Sequence, residues 1–298
     1  MGDEPYWTSK AVACNNNTWE LDSDIEKVAV MPMFCLTASS TDDASTESNG
    51  VAIQDDVDDY SWKDLKVIAD EIAAAKDEES ATGIAKKYHL VGEDGCLSAA
   101  SYKTVKLKTG VEAKAYIAAF NHDERSDGKG KAGITFVVGD TPLLMSSMNQ
   151  DGSNSGGWKD SDLRKALNKE VLASMPKDLK NNIVKVKKLT NNAGVTTDVS
   201  SVTETDDSVW VPSSVELFGK EVVDTKLGPQ TDQLAVYEAE GEQYAFVYAS
   251  SDYAWTRSCD AKKSGGFWTY LKTSLNGAAC QSLPAIPAVS IPASVCSR

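Results

Sequence analysis

Short apolar runs separated by polar, turn-forming stretches recur along most of the sequence, and strong helical periodicity is concentrated in its first third. Ser61 can cap a helix with Asp64 three residues later, and apolar side chains then recur at helical spacing. This pattern predicts an amphipathic helix over residues 62–75. A second apolar stripe predicts another helix over residues 81–88. Because short strand-like runs dominate the rest, the sequence predicts the α+β class.

Strands account for most of the remaining pattern. Tyr102–Lys108 and Val111–Ala119 flank the turn residues Thr109-Gly110 and are predicted to form a hairpin. The apolar run Ile134–Val138 predicts a further strand. The end of the chain is predicted to hold at least three more strands, over residues 253–257, 267–272 and 286–295.

Val28–Leu36 is the strongest strand candidate near the N-terminus. Pro32 within it indicates an edge position, because proline cannot donate a hydrogen bond to a neighbouring strand. The chain is then expected to divide into four parts: N-terminal strands (1–36), an acidic linker or solvated loop (37–60), a helical segment (61–100) and a ligand-binding domain (101–298).

The formal net charge of −14 makes phosphate-rich partners unfavourable, so nucleic acid is not expected as a partner. No run approaches the roughly 18 apolar residues of a membrane helix, and the N-terminal residues lack a signal-peptide pattern, so membrane insertion is not expected. Carboxylates concentrate between Asp42 and Asp64, whereas bases outnumber acids after Tyr253. We therefore expect the C-terminal tail to present a different surface from the rest.

No motif that assembles a nucleophile is found in the sequence. G-x-x-x-x-G-K-[ST] and G-x-S-x-G are missing, and the one G-x-G-x-x-G, Gly128–Gly133, leads into a strand and not into a helix, so we expect no catalysis and no cofactor. The loop Asn121–Gly130 lacks the register of a calcium loop and is interpreted as a turn, with His122 as a structural residue. The six cysteines are too widely spaced for a zinc site, and free buried thiols are favoured over a disulfide framework.

Aromatic residues concentrate in the tail, at about residues 253–298, beside lysines and small polar residues. Rigid rings among adaptable polar side chains are typical of binding surfaces. Trp255 and Phe267 are predicted to face the core, and the residues around them to form the surface. The predicted ligand-binding residues are Tyr253, Thr256, Asp260, Lys262, Lys263, Trp268, Thr269, Tyr270, Lys272, Ser274 and Asn276.

The block Gly156–Asn168, which reads GGWKDSDLRKALN, resembles a gut-bacterial domain family of unassigned function marked by G-G-W-x-x-S-x-[LM]-R-x-x-L. The blocks Glu204–Ser213 and Trp255–Ser258 resemble the same family, and the whole resemblance spans roughly residues 60–298. The terminal strand pattern of that family, G-V-x-P-x-F-x-[IL], is present near Ile291-Pro292-Ala293 only in a degraded form.

The N-terminal region resembles the tail's own pattern at Tyr6-Trp7-Thr8-Ser9, at Trp19 and at Val30–Leu36. Two explanations remain open at this point. The region is either the remnant of a repeat or a set of strands that pair side by side with the C-terminal strands.

Members of this family are similar to the C-type-lectin-like variable proteins of diversity-generating retroelements, in which a C-terminal segment is rewritten. The resemblance implies a C-type-lectin-like fold with an N-terminal helical accessory segment. It also implies a non-catalytic receptor or adhesin, on a bacterial surface or a phage virion, that binds a protein or glycan ligand through the tail. Two alternatives stay open: an enzyme similar to the sulfatase-activating oxidases, using Cys259 with Cys280 or Cys296, and a structural virion or fimbrial component.

Overall fold

The computed structural model describes residues 6–8, 12–15, 18–21, 28–37, 50–139, 141–219, 233–238, 254–273 and 277–284. The described strands are β1 (Tyr6–Thr8), β2 (Val12–Asn15), β3 (Thr18–Leu21), β4 (Val28–Val30), β5 (Met33–Leu36), β6 (Tyr102–Lys106), β7 (Glu112–Phe120), β8 (Ile134–Gly139), β9 (Leu144–Ser146), β10 (Ile183–Val184), β11 (Val186–Asn191), β12 (Val202–Asp207), β13 (Ala254–Cys259), β14 (Gly266–Thr273) and β15 (Gly277–Pro284).

The described helices are α1 (Trp62–Ala73), α2 (Glu78–Lys87), α3 (Gly157–Asp160), α4 (Asp162–Ala166), α5 (Leu172–Ser174), α6 (Lys177–Lys180), α7 (Ser214–Phe218) and α8 (Ala235–Glu238). A π-helical turn at Leu167–Val171 joins α4 to α5, and 3₁₀ turns lie at Val57–Asp59 and Val199–Ser201. In the part of the chain that the structure describes, no helix is long and apolar enough to cross a membrane.

Two five-stranded sheets carry most of the core. One has the order β10-β5-β8-β7-β6, and the other has the order β15-β14-β13-β4-β9. Pairing is antiparallel throughout both sheets except between β4 and β13, which run parallel with Ala29 opposite Ala254. A two-stranded sheet, β11-β12, and a separate sheet, β1-β2-β3, complete the described strands. Helices and mainly antiparallel sheets thus make this an α+β protein.

Helix α1 forms where the sequence predicts it. The Ser61 side chain accepts a hydrogen bond from the Asp64 backbone N–H, and the Asp64 carboxylate accepts one from the Ser61 N–H, which completes a capping box. The helix buries Leu65, Ile68 and the other apolar residues of its stripe. The predicted hairpin is confirmed as well, since β6 and β7 pair with Lys106 opposite Glu112.

The edge position predicted from Pro32 is wrong. Strands β4 and β5 lie on either side of this proline, and each is an interior strand of a different five-stranded sheet. Pro32 stands where the chain crosses from one sheet to the other. Its missing N–H is therefore not needed by either ladder, while its carbonyl still accepts a hydrogen bond of 2.9 Å from Val138 N. A proline between two short strands is compatible with the interior of a fold.

Part of the predicted acidic linker is packed against the domain. Val57 and Tyr60 are buried, and the Asp58 carboxylate accepts hydrogen bonds from the N–H and hydroxyl of Thr104 at 2.7 and 2.8 Å. The acidic side chains of residues 55–59 stay at or near the surface, Val57 and Tyr60 turn inward, and Ile53 remains exposed. Residues 38–49 of the same stretch lie outside the described residues.

Candidate ligand-binding face

The tail folds as an antiparallel meander that continues one five-stranded sheet. β13 pairs with β14, and β14 pairs with β15 with Phe267 opposite Leu283. Trp255 and Phe267 are buried and pack edge to face with ring centroids 6.4 Å apart, so their predicted inward position is confirmed. Strand β15 was not predicted, and the predicted strand over residues 286–295 lies outside the described residues.

The side chain of Asn154 stabilises the turn between β13 and β14 through hydrogen bonds to its backbone. This buried amide donates through Nδ2 to the carbonyls of Asp260, Lys263 and Gly266 at 3.1, 3.0 and 3.0 Å. Gly265 has a φ of +85°, and a Cβ there would lie 2.2 Å from the Gly152 carbonyl, so only glycine fits. The turn is therefore fixed by contacts of its backbone.

Two of the predicted ligand residues, Lys262 and Lys263, project from this turn and are exposed, as is Ser264 beside them. Trp268 on β14 is half-buried. We name the exposed side chains of residues 262–264 together with Trp268 the presented face. It is smaller than the sequence predicted.

Three other predicted ligand residues are buried, which corrects the prediction that they are exposed. Thr256, Thr269 and Asp260 have side chains that are almost inaccessible to solvent. The Thr256 hydroxyl donates to the Trp268 carbonyl at 2.8 Å and thereby ties β13 to β14. Alternation along a strand places residues on two faces, but here both faces of β13 are covered, so polar residues are buried too.

The side chains of the remaining five predicted ligand residues lie outside the described part of the structure. Tyr270 and Lys272 belong to β14, but their side chains are outside the described part of the structure. The other three lie outside the described residues altogether; they are Tyr253, Ser274 and Asn276.

A buried network of charges lies directly behind β13. Arg257, which is 1% exposed, binds the Glu216 carboxylate with both terminal nitrogens, one of them at 3.0 Å from Oε1. Its Nε donates to the Thr190 hydroxyl at 3.0 Å, and Nη1 also donates to the Val211 carbonyl. A planar, bidentate pair of this kind orients the strand that bears the arginine.

Lys188 extends the network to the other five-stranded sheet. Its ammonium binds Glu216 Oε1 at 3.0 Å and Asp123 Oδ1, and it lies 4.2 Å from the centre of the Trp210 ring. Asp123 also accepts a hydrogen bond of 2.7 Å from Thr135. We name Asp123, Lys188, Glu216 and Arg257 the buried charge network.

The charges of the network compensate one another. Burial by itself raises the pKa of Glu216, but the charges of Arg257 and Lys188 outweigh that effect and lower the pKa to about 2. Burial likewise opposes ionisation of Asp123, and Lys188 and His122 hold the pKa of Asp123 well below its ordinary value. Both carboxyl groups are therefore ionised at neutral pH.

The loop at 121–130 turns its two aspartates in different directions. Asp123 points into the buried charge network, and Asp127 pairs with Arg125 and accepts a hydrogen bond of 3.1 Å from Lys129 N. His122 lies with Nδ1 3.2 Å from Asp123, and its side chain is 8% exposed. The loop is thus an Asx-type turn, as predicted, and its carboxylates do not converge.

The G-G-W block and the 204–213 block meet at Asp207. This fully buried carboxylate accepts hydrogen bonds from Trp158 Nε1 at 3.0 Å, Arg164 Nε at 2.6 Å and the Thr205 hydroxyl at 2.7 Å. Asn168 also reaches it, at 3.3 Å, while binding the backbone of residues 208 and 209. We name this cluster the Asp207 clamp. The tryptophan, arginine and asparagine of the block are therefore structural.

Gly157, the second glycine of the G-G-W block, occupies a position where a side chain does not fit. Its φ is +54°, and a Cβ at this position would lie 2.1 Å from the Asn191 carbonyl. The backbone of α3 thus packs directly on the end of β11, which only glycine permits.

The cysteines are not arranged as a reactive pair in the described residues. Cys35 and Cys259 are free and buried, as predicted for the chain's thiols, whereas Cys96 is free and exposed. Burial raises the pKa of Cys259 to about 12. Cys280 belongs to β15, and β14 separates that strand from β13, so Cys259 and Cys280 are about 9 Å or more apart. That spacing exceeds the reach of a disulfide.

Sequence reasoning missed the buried charge network, although one signal was present. Trp255, Arg257 and Cys259 stand at alternate positions in the sequence, which predicts that the arginine shares the inward face of the tryptophan. All three are buried in the structure, although the register of β13 against β14 shifts between Trp255 and Cys259. The same rule places Lys188 on the buried face of β11 with Val186 and Thr190. The pairing of these two bases could not be predicted from the sequence, because their acidic partners are 28 to 65 residues away.

The fold and this site define an α+β domain with a rigid internal polar framework and a small presented face. Residues 133–291, more than half of the chain, match the family described as Domain of unknown function (DUF6273). The chain belongs to that family. The matched range includes the Asp207 clamp, the turn at 260–265 and every member of the buried charge network except Asp123. No curated protein and no solved structure matches the chain.

Proposed function

We propose that this protein is a non-catalytic ligand-binding protein with a C-type-lectin-like organisation, which holds a protein or glycan ligand on the presented face. The observation that carries the proposal is the turn at 260–265. Its backbone is fixed by Asn154, and β13, which leads into it, is held by Arg257 of the buried charge network, whereas the side chains of Lys262, Lys263 and Ser264 are exposed. A rigid turn with exchangeable side chains is suited to recognition.

Diversification of this face is the second part of the proposal, by analogy with the variable proteins of diversity-generating retroelements. Surface side chains away from structural contacts change at little cost to folding, usually within about 0.5 kcal/mol. The division of the tail into buried and exposed polar residues therefore limits diversification to few positions. Thr256, Thr269 and Asp260 are excluded, because each is buried.

The alternative of an oxidase-like enzyme finds no support in the described residues. That chemistry needs a cysteine thiolate in an accessible cleft. Cys259 is buried with a pKa of about 12, and Cys280 lies two strands away. Cys296 lies outside the described residues.

Simultaneous replacement of Lys262, Lys263 and Ser264 by alanine should leave the unfolding midpoint within a few degrees of the parent, because these side chains are exposed. The control is Thr269→Val, a much smaller change that removes one hydroxyl at a buried position of the adjoining strand and should still lower the midpoint clearly. A library randomised at residues 262–264, displayed on yeast and selected on immobilised lysozyme, should then yield folded binders. Enriched clones that bind only with mutations elsewhere would refute the assignment of the face.

The DNA beside the gene tests diversification separately from binding. We expect it to encode a reverse transcriptase and to hold a near-copy of the segment that encodes the tail, with differences at adenines of the codons for exposed positions. Sequencing the locus from several isolates checks this directly. Identical tails with neither neighbour present would remove diversification from the proposal and leave a fixed-specificity binder.

A further inference from the structure

The segment of residues 28–37, which we name the insert, is buried along its whole length. It reads V-x-P-x-F-x-L from Val30 to Leu36, which resembles the strand pattern G-V-x-P-x-F-x-[IL] with Ala29 in place of its glycine. Yet it lies about one hundred residues before the start of the family match at residue 133. A strand from outside the matched unit thus fills its interior.

The insert joins the two five-stranded sheets. β4 lies between β13 and β9, and β5 lies between β10 and β8, so removal of the insert would split both sheets. Its backbone also bonds outside the ladders, since Met33 N donates to the Trp210 carbonyl at 2.6 Å and Trp210 N returns a bond of 3.1 Å. The remaining chain therefore forms a slot whose walls carry unpaired backbone groups unless a strand occupies it.

Side chains of the insert complete the core and reach the buried charge network. The Phe34 ring stacks on Phe136 at a centroid distance of 5.4 Å and meets Trp62 edge to face at 5.9 Å. Cys35 Sγ lies 3.2 Å from the Thr135 hydroxyl and 3.4 Å from Asp123 Oδ2. The framework behind the tail is thus incomplete without the insert.

The insert is joined to the rest of the chain by a connection long enough to reach another molecule. Residues 38–49 number twelve and include no large apolar residue. A chain of that length reaches roughly 40 Å when extended, about the diameter of a domain of this size. An insert attached through it can therefore enter the slot of a neighbouring molecule with the same contacts that it makes in its own.

We propose that the slot is a strand-acceptor site and that the insert of a second copy of this chain can occupy it, which gives a dimer with exchanged inserts. Each molecule then supplies β4 and β5 to its partner and closes the partner's framework. The contacts are the same in both arrangements, so protein concentration decides between them. The sequence also carries a weaker version of the pattern at residues 290–296, where alanine and serine replace Met33 and Phe34, and it would bury less apolar surface in the slot.

A disulfide can record which insert occupies the slot. Cys35 and Thr135 are directly opposed in β5 and β8, so Thr135→Cys places two thiols side by side. The full-length variant, with Cys14, Cys96, Cys280 and Cys296 changed to serine, is unfolded in denaturant, refolded at low and at high protein concentration, and oxidised with oxidised glutathione. Non-reducing electrophoresis then separates a bond within one chain from a bond between two chains.

We expect a single-chain product at the lowest concentration and a disulfide-linked dimer that increases several-fold as concentration rises. The same protein carrying Cys35→Ala is the control and should give no such dimer. If only the single-chain product forms at every concentration, exchange does not occur and the proposal is wrong. If Thr135→Cys prevents folding, the opposed pair Ala29→Cys and Met145→Cys tests the β4 half of the insert in the same way.

Discussion

Glu216→Ala should reduce the free energy of unfolding by about 3–5 kcal/mol, the usual effect of removing one partner from a buried ion pair. The substitution leaves Lys188 and Arg257 within the core, each without the carboxylate that both now share. Neither base can reach solvent, since their side chains are 3% and 1% exposed. Urea denaturation at neutral pH, followed by tryptophan fluorescence, measures the change.

Lys187, the neighbour of Lys188 in β11, forms an ion pair that serves as a matched control. It forms an exposed ion pair with Glu204, at 3.2 Å, on the opposite face of the same strand. Glu204→Ala should cost less than about 1 kcal/mol, because solvent screens the exposed pair. Equal effects of Glu204→Ala and Glu216→Ala would contradict the role assigned to the buried charge network.

The same carboxylate should make stability depend on pH in acid. The pKa of Glu216 is lowered from 4.5 to about 2 in the folded protein, so the folded state resists protonation more than the unfolded state does. Its contribution, on the order of 3 kcal/mol, is present above pH 4.5 and is lost as the pH falls towards 2. Glu216→Ala should flatten that part of the stability profile, whereas Glu204→Ala should leave it unchanged.

Asp207→Ala should destabilise the protein by about 3 kcal/mol or more, because the carboxylate is the common acceptor of the Asp207 clamp. The substitution leaves the buried Trp158 indole N–H and the Thr205 hydroxyl without the acceptor that they share. It also removes the ion pair with Arg164. Near-ultraviolet circular dichroism should change with the unfolding midpoint, since Trp158 loses its fixed environment.

Asp206→Ala is the control for this second effect. Asp206 neighbours the clamp in sequence but its side chain is exposed, and only its backbone carbonyl binds Arg164. The control should keep the parent midpoint within a few degrees. A control as unstable as Asp207→Ala would show that β12 itself, and not the clamp, is sensitive to substitution.

The clamp also shows how far a sequence motif can be interpreted without a structure. The residues of the G-G-W block could have served either a binding site or the fold. Contacts decide in favour of the fold, because the conspicuous side chains of the block point to one buried aspartate 39 to 49 residues away. The block therefore belongs to the framework, and the presented face lies elsewhere.

Local patterns by themselves determined helix α1 with its capping box, the β6–β7 hairpin, the inward aromatics of the tail and the α+β class. Each depends on residues close together in sequence, or on an apolar periodicity that needs no knowledge of the partner. Only the tertiary structure decided that Pro32 stands between two interior strands, that Thr256 and Thr269 are buried, and that Arg257 meets Glu216. Burial of a polar residue depends on whether a distant partner satisfies it, and periodicity contains no information about that partner.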